Sequence, residues 1–260
     1  MSRQYQNDLS LALDAAKLAD EISLKRFQAI DLKVETKPDL TPVTDADKGV
    51  EEAFRDLIAK HRPEDLIIGE EFGAPTSTDG KHYWVIDPID GTKNFVRGVP
   101  VWATLIALIN ESGEVVVGVV SAPALNRTWY ASKGHGSFLK FNGETKKISV
   151  SKVSKLADAS ISYSDLIGWG AKREKFVELQ NKVWRTRSYG DFWSYVLVAE
   201  GAVDIATEPT LNLWDMAANE IIVREAGGQF TNLDGKPGPH GGNALASNGL
   251  LHQAFLKEIN

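Results

Sequence analysis

The sequence predicts a layered α/β protein in which sheets are covered by helices. Two observations lead there. The first half mixes long amphipathic helices with short strands, mostly antiparallel. The second half alternates strand and helix to its end, the pattern of a sheet covered by its own connections. With 260 residues, 43% of them hydrophobic and 25% charged, the chain is long enough to bury a substantial core.

Taken in order, Asn7 or Asp8 is expected to cap a first helix, because Leu9, Leu13, Ala16, Ala19, Ile22 and Phe27 follow at helical spacing. "KPDLTPVTDAD" reads as a loop broken by Pro38 and Pro42. A second helix places Val50, Phe54, Leu57 and Ile58 on one face and ends before Pro63. The apolar runs "LIIG" and "YWVID" are strands, each ending in acidic residues. "WATLIALI" and "VVVGVVSA" flank "NESGE" as a β-hairpin, and "TWYAS" adds a strand. Further on, "SISYS", "RTRSY", "VDIATE", "GQFTNL" and "ALASN" are strands. "KREKFVELQNKV", "DFWSYVLVAEG", "WDMAANEIIVREAGG" and the C-terminal segment are helices. The change of style near residues 135–150 divides the chain into an α+β part, 1–140, and an α/β part, 141–260. No Pro- or Ser-rich linker separates them, so they are expected to pack as one body.

Composition excludes several classes of function. The net charge is −6 without long runs of one sign, which argues against nucleic-acid or membrane-surface partners. There is no cysteine, hence no disulfide framework, thiolate metal site or cysteine nucleophile. The N-terminus lacks a secretory h-region, and no apolar run reaches the roughly 18 residues of a membrane span. The cytoplasm is the expected compartment, and the sequon at Asn126 is then a chance match. The five histidines, His61, His82, His135, His240 and His252, show no i, i+4 pair, so a histidine metal site is not expected. "GHGSF" lacks the strand–helix context of a dinucleotide loop and reads as a turn. Trp169 and Trp193 read as packing residues that border a site only if their loops bring them there.

Chemistry concentrates in "WVIDPIDGTKNF", Trp84–Phe95. An apolar strand runs into Asp87, then Pro88 and Ile89 turn the chain so that Asp90 points back to the same place. Buried carboxylates are costly without positive charge. Divalent cations supply it, since Mg²⁺ takes carboxylate oxygens, waters and phosphate oxygens. Two such ions about 4 Å apart clamp a phosphoryl displacement. Asp87 is placed to bridge them, and the Ile89 carbonyl offers a neutral oxygen. Gly91 permits close backbone approach. If Gly91 and Thr92 open a helix, their N–H groups form an anion site with Asp90 alongside. Glu70 and Glu71 after "LIIG", and Asp215 in "LWDMAA", are further acids at element ends. Spacing alone leaves Asp215 open between an N-cap and a ligand.

Together "GEE" at Gly69–Glu71, "WVIDPIDGTKNF" and "LWDMAA" at Leu213–Ala218 resemble the three signature blocks of the inositol monophosphatase family, in order and spacing, over nearly the whole chain. The resemblance implies an αβαβα sandwich of the inositol monophosphatase/fructose-1,6-bisphosphatase type. It also implies a homodimer and Mg²⁺-dependent phosphomonoesterase activity with two or three ions per site. Glu70 then matches an acid shared between two metals, Asp87 the bridging ligand, Ile89 a carbonyl ligand, and Asp90 and Asp215 ligands of the second metal. Thr92 matches the hydroxyl that holds the attacking water, and Asp47 the acid that hydrogen-bonds this threonine. Asp45 is a weaker match to the metal shell, and either Asp45 or Asp47 also reads as a cap of the second helix.

The stretch Arg185–Asp215 resembles the histidinol-phosphate phosphatase branch, where an aromatic-Gly-Asp run precedes the helix. It implies a small phosphate ester carrying an ammonium and an imidazole, with Asp191, Glu208 and Arg187 as substrate contacts. Spacing alone leaves Asp191 open as an N-cap. An inositol phosphate is the alternative substrate, and a non-catalytic anion-binding protein the remote one.

Overall fold

The computed structural model describes residues 2–260. Helix α1 (Ser2–Arg26) is followed by a small hairpin of β1 (Val34–Thr36) and β2 (Pro42–Thr44), then helix α2 (Asp45–His61). Strands β3 (Leu66–Gly69), β4 (Tyr83–Asp90), β5 (Ala103–Ile109), β6 (Val115–Ala122), β7 (Arg127–Ser132), β8 (Gly136–Phe141) and β9 (Glu144–Ile148) form one sheet in chain order. Only β3 and β4 pair in parallel; the other neighbours are antiparallel. A short helix α3 (Thr92–Val96) interrupts the series after β4.

The second sheet holds β10 (Ser160–Ser162), β11 (Arg185–Arg187), β12 (Ile205–Glu208), β13 (Gln229–Thr231) and β14 (Ala244–Ser247), in the order β11-β10-β12-β14-β13. Its helices are α4 (Arg173–Gln180), α5 (Asp191–Ala199), α6 (Leu213–Glu225) and α7 (His252–Ile259).

Three apolar clusters stack these elements. Leu11, Ala15 and Ala19 of α1 and Phe54 and Ile58 of α2 pack on Trp84, Ile86, Ile106 and Val119 of the large sheet. The opposite face of that sheet, with Val85, Leu105 and Val120, meets Phe192, Val196, Ile221 and Ile222 of α5 and α6. The same cluster reaches Ala206, Phe230 and Ala246 of the second sheet. Beyond it, Phe176 and Phe255 of α4 and α7 cover Ile161, Ile205 and Leu245. The result is the five-layer αβαβα sandwich. In α6, every residue from Met216 to Val223 is buried, as a helix between two sheets demands.

Some local expectations change. Asn7 and Asp8 lie inside α1 and cap nothing; Asp8 is buried and paired with Arg62 at 2.7 Å, a partner 54 residues away that spacing cannot show. The segment around Pro42 is half strand, because β2 pairs with β1. Strands β8 and β9 extend the large sheet past "TWYAS", and the division expected at 140/141 falls in their hairpin. His252 is a structural residue, fully buried between the hydroxyls of Thr231 and Ser247, each 2.9 Å from a ring nitrogen. No helix among the described residues is long and apolar enough to cross a membrane.

Helix α6 rests directly on the large sheet at Gly118. A Cβ there would come within 2.8 Å of the Ala218 carbonyl oxygen and 2.4 Å of the Ile221 side chain. Gly118→Ala therefore pushes α6 off β6. We expect a loss of about 1–3 kcal/mol of stability, read as a lower urea midpoint at unchanged m-value.

Candidate active site

The alternation of β4 aims its first acid. Trp84 and Ile86 face α1 and α2, whereas Val85 faces α5 and α6. Asp87, two residues after Val85, falls on the α6 side. The ladder with β5 loses register between Asp87 and Asp90, which turns Asp90 back beside Asp87. Two hydrogen bonds hold that turn: Ile89 N–H donates to Asp87 Oδ1 at 3.0 Å, and the Thr104 hydroxyl to the Pro88 carbonyl at 2.8 Å. The Ile89 side chain anchors the turn among Ala46, Phe95 and Trp102. Phe192 N–H, at the start of α5, donates to Asp90 Oδ2 at 2.6 Å, a contact across 102 positions that ties the two halves of the chain together.

Asp215 enters from α6. The N-cap of that helix is Asn212, and Asp215 sits at the third helical position, accepting from Asn212 N–H at 2.7 Å. The acid thus belongs to the capping box and also faces the site. Asp87, Asp90 and Asp215 each offer an oxygen within 4.8 Å of the other two. Burial, with repulsion from neighbouring acids, raises all three carboxyls: Asp87 and Asp90 well above the ordinary range, and Asp215 to about 7, where burial and the charges of Glu70 and Asp191 outweigh hydrogen bonds from Asn212 and Asp87. Three oxygen donors that cannot all ionise unaided form a suitable set for a hard divalent cation.

Around the cluster opens a cavity of about 300 Å³, to which Glu70, Ile89, Gly91 and Thr92 also contribute. The Glu70 carboxylate is held by Lys37, whose Nζ lies 2.8 Å from Glu70 and 2.7 Å from Glu71. Burial alone would depress the lysine; the two carboxylates more than reverse that and raise it. Gly91 has φ 87° and is the N-cap of α3. A Cβ there would lie 3.0 Å from the Val101 carbonyl and 3.5 Å from the Asp191 carboxylate, so the turn requires glycine. Helix α3 has five residues, too few for a strong macrodipole; what it offers are N–H groups without intrahelical partners.

Thr92 Oγ1 lies 2.9 Å from the Ile89 carbonyl and 3.4 Å from Asp47 Oδ1. Asp47 is fully buried, and its other oxygen accepts from the Thr44 N–H and hydroxyl. Thr44 is the N-cap of α2, so Asp47 closes a capping box and still reaches Thr92. Burial lifts its carboxyl to about 6. Asp45 turns away: Arg26 holds it at 2.8 Å, and it does not line the cavity. The expectation that Asp45 reaches the metal shell is corrected accordingly.

At the far end, Asp191 and Glu208 line a second, inner cavity of about 170 Å³ that shares Asp90 and Asp215 with the first. Gly190, not Asp191, is the N-cap of α5. Asp191 itself has φ 48°, in the left-handed region that residues with a Cβ seldom occupy. Its carboxyl is raised, and that of Glu208 reaches about 8; burial is the main cause for both. Arg187 is exposed, donates to the Thr186 carbonyl and lines neither cavity. Trp169 stacks on Phe176 with ring centroids 3.7 Å apart, and Trp193 packs on Tyr189; both are packing residues.

Sequence reasoning missed several contributors. Lys93 and Asn94 line the cavity and stand inside the quoted "DGTKNF", so their proximity to the acids was available. Asp165 and Lys37 were not: they arrive from separate loops, one on the cavity wall and one on Glu70. Glu51, buried in α2, accepts from the N–H groups of Glu71 and Phe72 at 2.8 and 3.2 Å. It thereby fixes the turn that presents Glu70.

A layered sandwich with a carboxylate cluster at the ends of its elements offers a site for a hard divalent cation. Comparison with known proteins agrees. The model of the inositol monophosphatase family matches residues 4–260. A "Histidinol-phosphatase" of Mycobacterium tuberculosis is 57% identical over 257 residues, 98% of each chain. One of Streptomyces coelicolor is 56% identical over 262 residues, again 98% of each chain. The structure of the extragenic suppressor protein SuhB from Bartonella henselae superposes with a TM-score of 0.88 at 27% identity, covering 98% of both chains. The chain belongs to the inositol monophosphatase family, whose members work with divalent metal ions.

The raised carboxyls have a consequence for stability. Their folded pKa lies above the unfolded value near 4, so the folded state holds extra protons. The stability this contributes is present below about pH 4 and is lost as pH rises toward 7. Without divalent ions, the melting temperature should fall between pH 5 and pH 8. Mg²⁺, binding the deprotonated cluster, should raise it more at pH 8 than at pH 5.5. Equal increments at both pH values, or an undiminished increment in Asp87→Asn, would refute this assignment.

Proposed function

We propose that this chain hydrolyses L-histidinol phosphate to L-histidinol and phosphate. The observation that carries this reading is the identity of 57% and 56%, over 98% of both chains, with two proteins named histidinol-phosphatase. The acidic inner end of the cavity supports it, because an ester bearing an ammonium and an imidazole matches Asp191 and Glu208 better than a neutral polyol does.

In this reading Glu70, Asp87, Asp90, Asp215 and the Ile89 carbonyl hold Mg²⁺, two or three ions per site. When bound, the metal supplies positive charge to the phosphoryl oxygens and makes water more acidic. The chain's own residues do the positioning. Thr92 points its hydroxyl hydrogen toward Ile89 or Asp47 and so turns lone pairs toward an incoming water. Asp47, with a carboxyl near 6, is poised to take up a proton passed through Thr92. Backbone N–H groups of Gly91 and Thr92, with Lys93 at the rim, receive the phosphoryl oxygens. Water attacks phosphorus in line, the ester P–O bond breaks, and the leaving alkoxide takes a proton from solvent. No phosphoenzyme forms. The same reading takes a homodimer as the working assembly and the cytoplasm as its place.

Phosphate release with Mg²⁺ from L-histidinol phosphate, myo-inositol 1-phosphate, fructose 1,6-bisphosphate and 3′-phosphoadenosine 5′-phosphate tests the substrate. A strong preference for the first is expected; a preference for inositol phosphate would transfer the chain to that activity. Asp87→Asn should lower turnover at least about a thousandfold at an unchanged circular-dichroism spectrum, by loss of charge stabilisation of several kcal/mol. Near-normal activity would sink the metal assignment. Asp191→Ala should reduce kcat/KM for histidinol phosphate about tenfold more than for inositol phosphate. Equal losses would make Asp191 a structural residue.

A further inference from the structure

The inner cavity contains two polar atoms close to one another, neither of which makes a hydrogen bond of good geometry. The Tyr195 hydroxyl and Glu208 Oε1 are both buried without a hydrogen-bond partner. Tyr195 is 2% exposed and Glu208 7%, and both line this chamber together with Phe192 and Leu211. Their places are fixed from behind. Tyr195 belongs to the buried cluster between the two sheets, with its ring 5.8 Å from that of Phe230. Glu208 ends β12, paired with Ala244 of β14. A buried hydroxyl and a buried carboxylate oxygen left unpaired cost stability that folding alone does not recover. Such a pair, held rigid and aimed into a chamber that opens on the catalytic cluster, is suited to a ligand.

We propose that this chamber receives the imidazole ring of the substrate and that the Tyr195 hydroxyl is a specificity-determining group. The proposal rests on the histidinol-phosphate reading and deepens it. A neutral imidazole carries one N–H donor and one nitrogen acceptor. Glu208 Oε1 accepts, and the Tyr195 hydroxyl donates, so each ring nitrogen finds the partner it requires. The flat faces of the ring lie against Phe192 and Leu211. Asp191, at the junction with the outer cavity, remains for the ammonium. A cyclitol in the same place would bring hydroxyls on every side, more than the chamber's two unpaired atoms satisfy. Hydroxyls left without partners against Phe192 and Leu211 would add a desolvation cost.

The test is Tyr195→Phe, which deletes one oxygen and keeps the ring. Steady-state kinetics are measured on L-histidinol phosphate and on myo-inositol 1-phosphate, for wild type and variant. The expected result is an approximately tenfold fall in the ratio of the two kcat/KM values, as for one lost hydrogen bond. The loss should sit in KM for histidinol phosphate rather than in kcat. An unchanged ratio overturns the proposal, whether both activities fall together or neither does. The wild-type ratio separates the two levels of the argument. If wild type shows no preference for histidinol phosphate, the functional reading fails; if it does and the variant ratio is unchanged, only the chamber assignment fails. A second measurement does not depend on the variant folding: inhibition of wild type by L-histidinol and by L-phenylalaninol, which shares the amino alcohol and replaces the imidazole with phenyl. At least about tenfold stronger inhibition by L-histidinol is expected, and equal inhibition overturns the assignment.

Discussion

The repulsion among Asp87, Asp90 and Asp215 is the constraint around which the molecule is built. Their oxygens approach within 4.8 Å. At that separation and an effective dielectric of about 20, each ionised pair would repel by about 3 kcal/mol. Burial adds to it, and together they raise the carboxyls, Asp215 to about 7 and Asp87 and Asp90 well above the ordinary range. The arrangement makes sense as preorganisation: the cost of gathering negative charge is met by folding, before any cation or phosphate arrives.

Each layer of the sandwich contributes to holding that charge in place. The large sheet supplies the strand end with Asp87 and Asp90. The central helix layer supplies Asp215, through a capping box that fixes its carboxylate, and the Phe192 N–H that holds Asp90. The outer layer of α2 supplies Asp47, again through a capping box, and Glu51, which fixes the turn of Glu70. Helix ends recur because their unpaired N–H groups orient carboxylates without introducing a neutralising charge. Lys37 is the exception. Its ammonium sits on Glu70 and Glu71, so one acid of the site is neutralised by the protein and the clustered three are not.

The inner cavity shows a different economy. Its unusual backbone at Asp191 and its unpaired hydroxyl and carboxylate are local departures from what favours stability. All three lie within one chamber and its mouth. Other buried polar atoms of the chain also lack partners; what sets these apart is that they line a cavity shared with the acidic cluster.

Much of this was legible in the sequence, and for definite reasons. The apolar run before Asp87 reads as a strand, and Pro88 and Gly91 within the next four residues mark a break in it that brings both acids to one place. Helical spacing placed α2 and α6, and local acids at their starts placed Asp47 and Asp215. Other features depend on residues far apart in the chain. Asp8 looked like a cap until Arg62 was seen beside it. Asp45 was the weaker candidate beside Asp47, and Arg26 holds it away. Lys37, Asp165 and Tyr195 carry no local signal, since their partners are brought near by packing alone. The sequence by itself determined the element types and the chemistry of the acidic cluster, because periodicity and turn chemistry act over a few residues. Only the tertiary structure decided which face each acid presents and which polar groups remain unpaired, because those depend on packing two sheets against one shared layer of helices.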